Sequence, residues 1–504
     1  STSDVQLEDS MHATRQQAKE RAVESVETPR EDLLEYLAWN AGSRTPRPKL
    51  ERYVDLLPDV FEFIENETGL HFVHAKGLPD YHPEQPGASV DGRMIVPELF
   101  DGDRLGESLD DIRRSPHYPL PVTYEEIEAV GGSNVFPTRG EFEQIGERME
   151  ENLLAGGAAL IAGLYEACLD AGVRVMTEAP ASELVLDDGT VTGTVDDRRG
   201  SGYTVAAEAV VIAAGGLEWD EELCEQFLSG PLTAPASPPY NEGDGIEMGA
   251  AVGAKLGNMN EAFWFPTVEV PGETWEDGSQ IYRIPKDRIL PGAIVVNEVG
   301  ERFVSETVNY NDITRAFHHF DPVAFEYENL PAYQIVDQDF RETYAIANQV
   351  LPEDDLPEWV TSAETLAGLA EQLGVDPAGL ERTVERYNTD VEAGTDTAYG
   401  SGDSTYGHAM GDPAAPHPNL APLDRAPYYA YELKPGAVGT KGGLVTSVEA
   451  EVLGWTDEPI PGLYAASNSA AHIMGLGYAG GGATIGPNIV FGYVAGRRAA
   501  NAPL

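Results

Sequence analysis

The sequence predicts an α/β fold in which one α/β domain is discontinuous and carries an inserted α+β domain. Strand-length apolar runs, such as "AVVIAAGG" at 209–216, alternate with helical patterns up to about residue 257. From 258 to 436 the character changes to aromatic-rich strands followed by two helices. Strands return from 437, and the chain ends in a helix. The predicted divisions are 1–257 and 437–504 for the two parts of the outer domain and 258–436 for the insertion. A chain of 504 residues is also too long for one simple core.

The elements follow in order. A polar helical stretch opens the chain and leads to "TPREDLLEYLAWNAG", where Thr28 and Glu31 have capping-box spacing around Pro29. A helix over 50–66 places Tyr53, Leu57, Val60 and Ile64 on one face. "KGLPDYHPEQPGASVDGR" is loop by its Pro and Gly content. A helix over 153–171 leads into "GVRVMTEAPASELVLDDGTVTGTV", read as an apolar strand and then a hairpin turning at Asp188-Gly189. In the insertion, helices over 362–373 and 377–389 are joined at Gly374 and Asp376-Pro377. Their apolar faces are Leu366, Leu369, Ala370, Leu373 and Leu380, Thr383, Val384, Tyr387. The Gly-, Asp-, Ser- and Pro-rich stretch 393–421 is a long loop, ordered in places.

Composition narrows the function. With 85 acidic and 32 basic residues the net charge is −53, which repels nucleic acid and anionic membranes. Only Lys19, Lys49, Lys76, Lys255, Lys286, Lys434 and Lys441 are lysine, and the acids are spread along the chain. That pattern reads as adaptation to high salt, where self-repulsion is screened over a few ångströms. No apolar run approaches the roughly 20 residues of a membrane span. The opening carries no signal-peptide pattern, so a cytoplasmic location is expected. Cys168 and Cys224 lack metal spacing and are expected as buried thiols; the histidines form no metal pattern either.

The segment "GLGYAGGGATIGP" (475–487) formally matches G-x-G-x-x-G at Gly475, Gly477 and Gly480. A dinucleotide fingerprint needs a strand before it, a helix after it and an acidic residue about 20 positions on, at the end of a second strand. "SNSAAHIM" precedes the glycines and a single helix follows, so the fingerprint reading fails. The helix starts near Gly486-Pro487, and Gly492 and Gly496 share a ridge with Ile485 and Ile489, which allows very close approach to a neighbouring backbone. The small residues upstream leave backbone N–H groups free at the positive end of that helix, suited to a ligand that develops negative charge.

The stretch 462–496, "GLYAASNSAAHIMGLGYAGGGATIGPNIVFGYVAG", resembles the C-terminal flavin-binding segment of the FAD-dependent fumarate reductase/3-ketosteroid dehydrogenase superfamily, closest to the 3-ketosteroid 1-dehydrogenase branch. "AVVIAAGGLEWDEEL" (209–223), "PPYNEGDGIEMGAAVGAKLGNM" (238–259), "VVNEVGERFVSETVNYND" (295–312) and "GTKGGLVT" (439–446) are similar in the same order. The resemblance covers roughly 20–504. It implies a discontinuous Rossmann-like FAD-binding domain with an inserted substrate or capping domain. It also implies an FAD-dependent dehydrogenase acting on CH–CH groups beside a ketone.

By the same resemblance, Tyr310 is the base that takes a proton next to the ketone. Tyr478 and the Gly482 N–H donate to the ketone oxygen, and Tyr81, in "PDY", supports the base. Cofactor contacts fall on Ala214, Gly215, Gly216, Asp244, Asn468, Ala483, Thr484 and Ile485. Fumarate reductases carry arginines at the positions of Tyr310 and Tyr478, which pair bidentately with dicarboxylates; two phenols favour a ketone.

The sequence departs from the family in four ways. Its first strand, glycine turn and helix, which hold the ADP half of FAD, are not recognisable, and "STSDVQLEDSMHATRQQ" resembles the region just after them. Ser467, Ser305 and Ala479 stand where Gly, Asn and Pro are usual. Two other readings therefore remain open at this point: an ene-reductase acting on another enone, and a flavin-free remnant. The electron acceptor has no signature in the sequence.

Overall fold

The computed structural model describes residues 28–196 and 202–504; the polar helix expected at the start lies outside them. Helix Arg30–Ala41 begins directly after Pro29, and the capping box does not form. Pro29 occupies the cap position, so Thr28 lies one residue too far out to reach the third helical amide. Its hydroxyl instead accepts from Arg93 Nε at 3.2 Å.

Helix Arg47–Glu67 buries Tyr53, Val60 and Ile64 as its spacing predicts. With Leu34, Tyr36 and Leu37 of the preceding helix, these residues build a core shared with Tyr478, Val490 and Phe491 near the C-terminus. The loop bearing Tyr81 and the glycine loop bearing Tyr478 are thus fixed to one scaffold.

Helix Gly156–Asp170 forms within its predicted range, but the strand expected through 173–178 does not. Val173 and Val175 are exposed, and no strand among the described residues lies beside them to take their backbone hydrogen bonds. The hairpin Ala181–Asp187/Thr190–Asp196 turns at Asp188 (φ 46°) and Gly189 (φ 80°), the pair of positive φ angles a type I′ turn requires. Strand Val210–Ile212 pairs in parallel with Pro459–Ala465, in the register Leu463↔Val210 to Ala465↔Ile212. This pair aims the turn at Gly215 and the turn at Asn468 in the same direction.

The middle of the chain centres on a six-stranded antiparallel sheet. Its path runs Gln280–Arg283, Ala262–Thr274, Tyr428–Thr440, Ala332–Val336, Ala293–Val296, and Thr361–Ala363 also pairs with Tyr428–Thr440. The period of two divides "AFWF": Ala262 and Trp264 face one small core, while Phe263 and Phe265 face the tyrosines. Helix Leu366–Leu373 begins later than the predicted residue 362, because 361–363 is drawn into the sheet and Thr365 caps the helix. With helix Pro377–Glu392 it buries Leu369, Ala370, Leu380, Val384 and Tyr387 against the sheet.

Helix Ile485–Ala499 closes the chain. Among the described residues a Cβ at Gly492 or Gly496 would meet nothing within 4 Å, so none of them uses the close approach that this ridge allows. The packed ridge is Pro487, Val490, Phe491, Val494 and Ala495 instead. Cys224 is buried, and burial pushes its thiol up to about 12; Cys168 is exposed, against expectation, because it falls on the outward side of helix Gly156–Asp170. No described helix is long and apolar enough to cross a membrane.

Candidate active site

Three predicted tyrosines meet. Tyr81 Oη and Tyr310 Oη are 2.6 Å apart. The ring of Tyr478 lies 5.2 Å from that of Tyr81 and 5.5 Å from that of Tyr310, both edge to face. Phe265 stacks on Tyr310 at 4.0 Å, and Phe263 packs on Tyr478 at 5.0 Å. Tyr81 and Tyr310 remain partly accessible, and their hydroxyl pair is partly buried. Burial first, then the neighbouring phenols, hold Tyr81 and Tyr310 well above the ordinary phenol value; burial also raises Tyr478.

Local structure explains each position. Tyr310 is the first residue of helix Tyr310–Ala316, whose cap Asn309 accepts from the Asn311 and Asp312 amides. The "PDY" segment is no free surface loop. Buried Asp80 accepts from Ser89 N at 2.8 Å and Arg93 Nη1 at 2.7 Å, and Tyr81 N donates to Ala479 O at 3.0 Å. Gly92 is required there: its φ is 63°, and a Cβ would stand 1.7 Å from Leu78 O.

The glycine loop is strapped to the first described helix. Tyr36 Oη donates to Ala479 O at 2.6 Å, and Gly477 N donates to Asn40 O at 2.9 Å. The glycines serve this close contact: a Cβ on Gly477 would lie 2.1 Å from Asn40 Oδ1, and one on Gly475 2.5 Å from Ala41 O. Gly477→Ala is accordingly expected to destabilise the fold by about 1–3 kcal/mol, as overpacking of a tight contact does. Turnover is expected to fall with it. Thermal melting of the FAD-loaded variant checks this, and an unchanged melting temperature refutes it.

The predicted cofactor positions form a second, adjoining group. Ser469 Oγ accepts from Ala214 N and donates to Gly215 O, both at 2.9 Å. A Cβ on Gly245, next to Asp244, would meet Ile212, Ser469 and Ala214, which brings Asp244 to the same place. Asn488 Nδ2 donates to Asn468 Oδ1 at 3.2 Å, tying that turn to the terminal helix. A Cβ on Gly216 would run into Thr440 and buried Glu218, whose carboxyl is raised by burial and accepts from Asn241 Nδ2 at 2.7 Å.

Thr484 Oγ1 donates to Tyr478 Oη at 3.0 Å, so a residue expected at the cofactor also holds a tyrosine. Ala483 N turns back onto Gly480 O. The backbone N–H groups of Gly482, Thr484 and Ile485 take no partner among the described residues and stand at the N-terminus of a 15-residue helix. Gly482 and Ile485 are exposed. Free donors at the positive end of a helix, beside small residues, fit the electron-rich edge of a flavin.

A family model described as "FAD binding domain" matches residues 10–485. The chain belongs to that family. Its cofactor is FAD, and it is an oxidoreductase acting on CH–CH groups. The flavoprotein is 37 % identical to the 4-oxocyclohexanecarboxylate 2-dehydrogenase of Sinomonas cyclohexanicum, over 92 % of this chain and 81 % of that one. It is 32 % identical to the 3-oxosteroid 1-dehydrogenase of Mycolicibacterium smegmatis, over 93 % of this chain and 86 % of the other. The crystal structure of 3-ketosteroid delta1-dehydrogenase from Sterolibacterium denitrificans, in complex with 1,4-androstadiene-3,17-dione, superposes with a TM-score of 0.85 at 31 % identity. That match covers 94 % of this chain and 89 % of the other. A flavocytochrome c3 fumarate reductase shares the fold at 21 % identity and a TM-score of 0.59.

The flavoprotein also holds site residues that the sequence did not single out. Tyr406 packs on Tyr81 at 5.4 Å and is pushed up to about 12 by burial; its helix, Thr405–Met410, sits within the stretch read as loop. Phe263 and Phe265 could have been found from the period-two alternation in "AFWF". Ser469 carries no sequence signal, because the contact it makes spans more than 250 residues.

Proposed function

We propose that this enzyme desaturates a cyclic ketone at the carbon pair next to the carbonyl. The two relatives described above, at 37 and 32 % identity, are named for ring ketones, 4-oxocyclohexanecarboxylate and a 3-oxosteroid, and that shared chemistry is the proposed substrate class. The observation carrying the reading is the group Tyr81, Tyr310 and Tyr478, with two hydroxyls 2.6 Å apart, where gripping a dicarboxylate calls for guanidinium groups.

In this reading Tyr478 Oη and the free Gly482 N–H donate to the carbonyl oxygen. A proton on the adjacent carbon leaves readily only when the enolate oxygen is stabilised, and one such preorganised donor contributes about 3 kcal/mol. Tyr310 accepts that proton. Burial and the neighbouring phenols oppose its ionisation, and the Tyr81 hydroxyl donates to Tyr310 Oη at 2.6 Å, which fixes the direction of that oxygen's free lone pairs. When bound, FAD supplies the two-electron acceptor that takes the hydride. The aromatic walls formed by Phe263, Phe265 and Tyr406 exclude water around the phenols. The division at 257/258 and 436/437, a cytoplasmic location and an electron acceptor outside this chain belong to the same reading, the location resting on the sequence pattern alone.

Anaerobic mixing of the FAD-loaded protein with a cyclic ketone is expected to bleach the flavin's visible absorbance and to yield the conjugated enone. Succinate is expected to do neither. Bleaching by succinate, with none by any cyclic ketone, would reverse the assignment.

A further inference from the structure

We infer that Lys441 is a positioning residue for Tyr478, holding the peptide unit that carries it through an ammonium–carbonyl contact. The inference rests on the role given above to Tyr478. In a chain with 85 acidic residues, a fully buried lysine with no carboxylate partner among the described residues calls for an explanation. Its Nζ donates to Gly477 O at 2.8 Å and to Leu476 O at 3.4 Å, and lies 5.0 Å from the centre of the Phe263 ring.

Each contact leads to Tyr478. The Gly477 carbonyl belongs to the rigid peptide plane that ends at the Tyr478 amide, so holding that oxygen restricts how the Tyr478 Cα can turn. Phe263, the ring under the ammonium, is also the ring packed on Tyr478. Gly477 O has no other donor among the described residues, whereas Leu476 O also accepts from Arg315, itself paired with buried Glu261 at 2.6 Å. Lys441 is held in turn by its backbone: its N–H donates to Glu261 O at 2.9 Å, and its carbonyl accepts from His472 N at 3.0 Å.

Energetics points the same way. Burial, with Arg315 nearby, lowers the ammonium to about 7, so the fold bears a cost to keep an amine there. A methionine of similar length would fill the space more cheaply. What methionine lacks is donors for a carbonyl one residue before the reacting hydroxyl.

The test is a double-mutant cycle on the FAD-loaded enzyme with a cyclic ketone. Lys441→Met is expected to lower kcat about tenfold while KM changes less than about twofold, the mark of an interaction used mainly in the transition state. In a Tyr478→Phe background the same substitution is expected to lower kcat less than about twofold, because the hydroxyl it positions is gone. Equal losses in both backgrounds would show a general structural role and overturn the inference while leaving Tyr478 in place. Wild-type turnover in Tyr478→Phe alone would overturn the Tyr478 assignment itself. If Lys441→Met does not accumulate folded, Lys441→Leu, which also lacks a donor, goes through both backgrounds. A loss confined to the Tyr478 background supports the inference, and no loss or an equal loss overturns it.

Discussion

Tyr310→Phe is expected to lower turnover of a cyclic ketone by about 10²–10⁴-fold, the range over which a positioned general base acts. FAD binding and folding should survive. The variant keeps the Phe265 stack at 4.0 Å and loses one hydroxyl pair, worth about 1 kcal/mol. Exchange of the substrate's α-protons in deuterated water should fall by the same factor, since it needs the base but not the hydride acceptor. The pH dependence has a definite sign. The base acts deprotonated and burial raises its value, so kcat/KM of the wild type should climb with pH through neutrality. That climb should vanish in Tyr310→Phe. Unaltered turnover in the variant would remove Tyr310 from the chemistry.

How far the sequence foretells this site depends on the range of the interactions. Elements set by local periodicity were legible: helix Arg47–Glu67, the turn at Asp188-Gly189 and the paired helices Leu366–Leu373 and Pro377–Glu392 follow from spacing. Motif resemblance singled out Tyr81, Tyr310 and Tyr478, and the chain's folding brings them together across 229 residues for the hydroxyl pair alone. Contacts between distant segments were not legible. Ser469 bridging the Gly215 turn, Tyr36 holding Ala479 and Arg93 donating to the Thr28 hydroxyl have no signature until both partners are placed. The glycines 492 and 496 mislead for the same reason. Their ridge permits close approach, but only a neighbour can show whether anything approaches, and none of the described residues does. The predicted strand at 173–178 likewise had the right residues and no partner strand among the described residues.

The same dependence on distant partners makes Arg302→Met the substitution with the largest expected effect on stability. Arg302 donates to both oxygens of Glu306, at 2.8 and 2.5 Å, and to both of Asp396, at 3.0 and 2.8 Å; all three side chains are almost fully buried. Ser401 joins both carboxylates, and Ser305, where asparagine is usual in the family, joins Ser401 at 3.0 Å. Burial alone would raise Asp396, yet the hydrogen bonds and charge of Arg302 hold it down to about 2. The pair therefore contributes stability that is present above the ordinary carboxylate value of 3.8 and lost as pH falls toward about 2. Methionine leaves two carboxylates buried side by side without a cation, a change expected to cost about 3–5 kcal/mol near neutrality. It also inverts the pH response. Uncompensated carboxyls bind protons more tightly folded than unfolded, so mild acid should stabilise Arg302→Met relative to the wild type at the same pH. Denaturant unfolding at pH 7 and pH 5 (about two units apart, above the wild-type window) reads both effects. Because the network anchors the segment that runs from Arg302 into Tyr310, the variant's turnover relative to that of the wild type at the same pH should recover as the pH is lowered. A variant as stable as the wild type at neutral pH would show that the network contributes no net stability.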